Sequence, residues 1–131
     1  MNEIKGLIID TPHIDNILSG KKTWEMRSTQ AKRRGLVALI RKGSGKIIGV
    51  ARMVDSLGPF SKAEMLANQS RHMISTERLA DPKVEKWNNA WVMQEAKLFA
   101  SPVSYVHPNG AVIWVNLDEN TQQAVRDAAL R

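Results

Sequence analysis

The chain has 131 residues, with 19 Lys or Arg against 13 Asp or Glu, a formal net charge of +6 and no cysteine. That size describes one domain over residues 1–131, large enough to bury roughly two-thirds of its unfolded surface without a covalent staple. The missing cysteines exclude disulfides, thiolate metal sites and cysteine nucleophiles. No apolar run approaches a membrane span and no apolar leader opens the chain, so the expectation is a soluble, cytoplasmic protein with no membrane partner.

Ile4 to Ile9 is almost wholly apolar and predicts a central strand. Thr11-Pro12 then predicts a helix start, with Thr11 as N-cap, Pro12 at the first helical position and Asp15 completing a loose capping pattern. Ile14, Ile17 and Leu18 recur at helical spacing, and Gly20 suits the residue just past the helix end. Thr23 to Arg27 predicts a short strand in which Thr23, Glu25 and Arg27 alternate with Trp24 and Met26. Successive strand side chains point to opposite faces. Polar groups are therefore expected on a wet face, anchored from behind by the two buried apolar residues.

Ser28 to Arg34 is a polar, basic loop; Leu36–Arg41 and Lys46–Val54 predict a hairpin around Gly43-Ser44-Gly45. The string Gly43-Ser44-Gly45-Lys46 lacks the spacing of a phosphate loop and runs into a strand, not a helix. Ser61 to Ala67 carries a capping-box pattern, with Ser61 as N-cap and Glu64 at the third helical position. Residues 69–86 are polar and broken by Asp81-Pro82; a mobile flap with one helical turn is expected. Ala90–Phe99 predicts a strand, Pro102–Pro108 a loop, and Ala111–Val115 a strand entered through Asn109-Gly110. From Asp118 onward a helix with an apolar stripe of Ala124, Val125, Ala128 and Leu130 is expected. The class is α+β: a compact mixed barrel of five or six strands with short helices.

From Gly20 to Lys46 nine Lys or Arg accompany a single acid, Glu25. Such a cluster attracts polyanions, RNA foremost, though it equally describes a solvated basic surface. A glycine turn carrying Lys21 and Lys22 leads straight into the Thr23–Glu25–Arg27 row. Donors, an acceptor and a fixed positive charge in one row suit a polar, anionic ligand. The same alternation also describes an ordinary half-buried strand with a Glu25–Arg27 pair on its wet face.

The string Ile17-Leu18-Ser19-Gly20-Lys21-Lys22-Thr23-Trp24-Glu25-Met26-Arg27 resembles the signature of the ASCH domain family, apolar-Leu-x-Gly-x-Lys-Thr-x-Glu-x-Arg. Two further stretches fit it: Arg34-Gly35 leading into a strand and glycine hairpin, and the run from Pro102 to Trp114. The resemblance implies a PUA-like pseudo-barrel whose signature residues line a cleft, with short peripheral helices and a C-terminal helix. It implies roles in RNA binding, RNA modification or transcription coactivation. One branch resembles hydrolases of acetylcytidine, and another is associated with metal-dependent cleavage of single-stranded RNA. The amidohydrolase branch uses a lysine, a threonine and a glutamate. Its lysine falls on Lys22, but its threonine falls on Glu25, and a carboxylate cannot replace a hydroxyl nucleophile. Its glutamate has three candidates here, Glu64, Glu77 and Glu85.

These readings give an RNA- or nucleotide-binding protein, with a small hydrolase of single-stranded RNA or an acetylated nucleoside as the alternative. A protein-interaction adaptor is a third reading, for which the sequence offers no obvious apolar patch. Lys22 and Glu25 are the candidate catalytic pair: Lys22 for an oxyanion, a phosphate or proton transfer, and Glu25 for acid–base work. Arg27 can orient Glu25 or clamp a phosphate. Lys21, Thr23, Lys32, Arg33 and Arg34 are the further candidate ligand contacts. Trp87, unlike Trp24, Trp91 and Trp114, lies in a polar setting and can stack a base at an exposed edge, with core or flap packing as the leading reading. His107 is a candidate for the cleft rim. His13, His72 and His107 show no ligand spacing, so neither a metal nor a cofactor is expected.

Overall fold

A computed structural model describes residues 3–131. Its strands are β1 (Lys5–Ile9), β2 (Trp24–Arg27), β3 (Gly35–Arg41), β4 (Lys46–Leu57), β5 (Asn89–Ser104) and β6 (Trp114–Asn116). The helices are α1 (His13–Leu18), α2 (Lys62–Ala67), α3 (Gln69–His72), α4 (Thr76–Leu79) and α5 (Glu119–Leu130). The six strands form one mixed sheet in the order β2-β5-β4-β3-β1-β6, curled into a half-barrel. Among the described residues no helix is long and apolar enough to cross a membrane.

Period-two alternation divides the core. Leu7, Ile9, Val37, Leu39, Ala51 and Met93 point to one face, where Ile14 and Ile17 of α1 close over them. Ile8, Ala38, Ile40 and Val50 point to the other, where Val125 and Ala128 of α5 cover them. A third cluster joins Trp24, Met26 and Ala90 to Met65, Ile74 and Val84. It fastens the helical segment 61–87 to the β2 edge of the sheet. Phe60 stacks on Trp24 there, with ring centroids 5.0 Å apart.

Several expectations change. Thr11 does not cap α1; Pro12 precedes the helix and makes no side-chain cap. The Arg41 guanidinium takes the Thr11 hydroxyl at 2.8 Å and both Asp15 carboxylate oxygens at 3.0 and 2.7 Å. A bidentate charge-assisted pair outweighs a cap on so short a helix. Residues 69–86 hold two short helices, and the segment buries His72, Ile74 and Val84. β5 runs beyond Phe99 because Val103 and Ser104 pair with Ile47 and Lys46, which absorbs the first residues of the expected 102–108 loop. It does so through register shifts and a left-handed Glu95, φ 51°, the bending that closes a barrel-like sheet. The expected strand over 111–115 shrinks to β6. Val112 and Ile113 lie exposed, and among the described residues β6 pairs with β1 alone, at the sheet edge. Leu130 is exposed and leaves the stripe of α5.

Candidate functional site

The turn between α1 and β2 sets the site. Gly20 adopts φ 82°, a left-handed conformation that costs glycine little. The Lys22 amide donates to the Asn16 carbonyl at 2.9 Å, and the Thr23 amide donates to the Arg71 carbonyl at 3.1 Å. The main chain is thereby tied to α1 on one side and α3 on the other, and the Lys22 side chain is turned inward. Lys22 is only 3% exposed, so it is not a solvated turn lysine.

Its ammonium lies 3.3 Å from Glu25 Oε1 and 3.2 Å from His13 Nδ1. Glu25 Oε2 accepts from Arg27 Nε at 3.1 Å and lies 2.8 Å from an Arg27 terminal nitrogen. Arg27 also donates to the Ile8 carbonyl at 2.9 Å and sits over the Trp91 ring, 5.4 Å from its centroid. The expected wet face of β2 is therefore a buried ionic row. Trp24, Glu25 and Met26 are all buried, so both faces of the strand are covered.

Burial holds the Lys22 ammonium below its ordinary proton affinity, with the Glu25 carboxylate opposing that effect. Burial, then the neighbouring Lys22 charge, lowers His13 below the usual histidine value. A neutral His13 beside an ammonium accepts at Nδ1 and carries its proton on Nε2. Such a cluster offers the surroundings several directed donors and one partly occupied carboxylate.

The cluster forms the floor of a cleft of about 340 Å³. Lys22, Glu25, Arg27 and His13 line it, as do Asp10, Lys42, Arg78 and Trp87. Four basic side chains thus face two carboxylates, and the cleft is positive on balance. Trp87 stands at its rim, 36% exposed. Of the candidates from the sequence, Lys22, Glu25, Arg27 and Trp87 are brought together. Thr23 is half-buried, contributes its backbone to the turn and β5, and is not part of the lining. Lys21 is exposed beside the cleft lining, not in it.

Lys32, Arg33 and Arg34 border a separate concavity of about 660 Å³ with Arg52 and Arg126. Arg33 donates to the Glu3 carbonyl at 2.7 Å and Arg34 to the Ala31 carbonyl at 3.0 Å, which binds this loop back onto the fold. His107 bonds Tyr105 Oη at 2.9 Å and the Ala111 carbonyl at 2.9 Å, bracing its own loop outside the cleft.

Asp10, His13, Lys42 and Arg78 are site residues that the sequence did not single out. His13 was readable in principle, since it opens the same short helix that Lys22 follows. Arg78 was not, because the 69–86 segment has no legible period. The third histidine, His72, is a satisfied core residue: its Nδ1 accepts from the Ile74 amide at 2.9 Å and its Nε2 reaches the Met65 carbonyl at 2.7 Å. Among the described residues no three His, Asp or Glu side chains are grouped to hold a metal.

The family model of the ASCH domain matches residues 7–103. The fold is similar to the crystal structure of an ASCH protein from Zymomonas mobilis, with a TM-score of 0.73 at 14% identity, covering 95% of this chain and 94% of that one. Two single-substitution variants of the Zymomonas mobilis protein match likewise: one with a TM-score of 0.73 over 95% of each chain, the other with 0.72 over 96% of this chain and 98% of that one, both at 14% identity. No curated protein sequence matches the chain.

Proposed function

We propose that this chain, which belongs to the ASCH domain family, binds RNA by seating a nucleotide unit in the cleft floored by Lys22, Glu25, Arg27 and His13. Family membership supports an RNA-binding role in general. The observation that carries the specific reading is the burial of this ionic row at the bottom of an open, positive cleft. Buried charges are a poor way to gain stability, since desolvation offsets most of their attraction. Gathered in a concavity where burial lowers the proton affinity of Lys22 and of His13, they point to a site. In this reading Lys42 and Arg78 meet phosphate oxygens and Trp87 stacks a base. The Glu25 carboxylate and the donors of Lys22 and His13 meet polar edges of the base or sugar. Lys21, Lys32, Arg33 and Arg34 extend the positive field that draws the strand in.

Fluorescence anisotropy with a labelled single-stranded RNA decamer tests this. Affinity should fall steeply with salt through counterion release. Arg78→Ala and Lys42→Ala should each flatten the logarithmic salt slope by roughly one unit. Binding indifferent to salt and to both substitutions sinks the reading. One observation favours a second reading, hydrolysis: Lys22 is held below its ordinary proton affinity beside Glu25 and His13, the state a proton-transferring lysine needs. The same probe, checked for cleavage, and an acetylated cytidine, checked for loss of acetate, separate enzyme from binder.

A further inference from the structure

A second concavity, of about 450 Å³, opens on the far side of Trp87. Phe60, Met65, Leu66, Leu79 and Val84 make it predominantly apolar, and Thr76 and Asn88 add polar groups. Trp87 lines this groove and the ionic cleft alike. Helix α4 divides them in the same way: Arg78 faces the cleft, while Thr76 and Leu79 face the groove. Trp87 is the crest the two concavities share, and the Lys86 ammonium lies 5.8 Å from the centroid of its ring. A Lys62–Glu85 pair at 2.8 Å borders the groove.

Building on the cleft reading, we infer that the groove is a second base subsite, and that the ligand is a single strand whose neighbouring nucleotides straddle Trp87. The groove and the cleft share Trp87 as a lining residue, and α4 contributes side chains to both. The groove's apolar lining suits an unstacked base, and Thr76 and Asn88 suit the edge of that base. The phosphodiester joining the two nucleotides passes over the crest, where Lys86 and Arg78 supply positive charge. A duplex does not fit this arrangement, because both bases must be splayed from their stack. A free nucleoside fills only half of it.

Titrations followed by NMR, with adenosine 5′-monophosphate and with the 5′-phosphorylated dinucleotide pApA, test the inference; chromatography afterwards checks that each ligand is intact. The dinucleotide should bind at least about fivefold more tightly than the mononucleotide, the lower end for one added stacked base. Leu66→Glu places a carboxylate in the groove from a side chain that is 48% exposed. It should erase the dinucleotide's advantage and leave mononucleotide affinity unchanged. Ala80→Glu, from another exposed lining position, should act alike and covers a failure of the first variant to fold. If the mononucleotide binds and the dinucleotide gains nothing, or the gain survives both variants, the second subsite is wrong and the cleft reading stands. If neither ligand binds, the cleft reading falls and takes this inference with it.

Discussion

Arg27 and Lys22 flank the same buried carboxylate, yet their removal should have different consequences. Arg27→Met deletes two contacts to Glu25 Oε2, a bond to the Ile8 carbonyl and a cation–π contact with Trp91. Charge-assisted bonds, to the carboxylate and to the carbonyl alike, contribute about 1.5–3 kcal/mol, and the ring contact about 0.5–1 kcal/mol. The methionine stem recovers part of the packing. A net loss of about 3 kcal/mol is expected. With an unfolding entropy near 0.28 kcal/mol/K for a chain of this length, that lowers the melting temperature by about 11 °C. Lys22→Met removes one contact to Glu25, which keeps both of its contacts to Arg27, and one to His13 Nδ1. It also relieves an ammonium whose burial is unfavourable, as its lowered proton affinity records. Its stability should therefore change by less than about 1 kcal/mol, or less than about 4 °C, while RNA affinity falls. Differential scanning calorimetry of the two variants, beside the anisotropy assay, distinguishes the roles. A Lys22→Met protein that melts as low as Arg27→Met would refute the assignment of Arg27 to scaffold and Lys22 to ligand.

Acid should weaken the fold before its carboxylates titrate. His13 and His72 are both held below the ordinary histidine value of 6.5, chiefly by burial. The unfolded chain then takes up their protons first, so stability is fully present above about pH 6.5 and declines as pH falls below it. Urea midpoints at pH 7.5 and pH 5.5 measure this, and equal midpoints would contradict it. Gly49 lies where a methyl group would run into the Lys97 carbonyl and, at 2.5 Å, into the Leu18 side chain. Gly49→Ala should cost about 3 kcal/mol by overpacking a backbone–backbone approach; a melting temperature within about 2 °C of the parent would show that β4 and β5 can separate there.

What the sequence made legible follows from how local each signal was. The β3–β4 hairpin was readable because Gly43 and Gly45, with φ 79° and 66°, punctuate two apolar runs. The capping box of α2 was equally local: the Ser61 hydroxyl accepts from the Glu64 amide and the Glu64 carboxylate accepts from the Ser61 amide. The row of Lys22, Glu25 and Arg27 was readable from spacing and resemblance. Its burial was not, because the cover comes from residues 60–87, whose helices of four to six residues are too short to show a period. Trp87 is 36% exposed, whereas Trp24 and Trp91 are buried and Trp114, expected in the core with them, is only partly so. His107 was misleading because its partners, Tyr105 and Ala111, lie within its own loop.

The pairing of β2 has a consequence for the order in which the molecule assembles. The β3–β4 hairpin closes through a short turn and needs nothing else of the chain. The strand that carries Glu25 and Arg27 has no such neighbour; among the described residues it pairs only with β5, placing Trp24 opposite Val92 and Arg27 opposite Asn89. Everything between must be gathered first, and the entropy of closing so long a loop is lost before any contact compensates for it. On this ground the cleft is expected to form late in folding, after β5 has docked on β4. Weakening it hastens the opening of the finished protein far more than it delays the protein's formation.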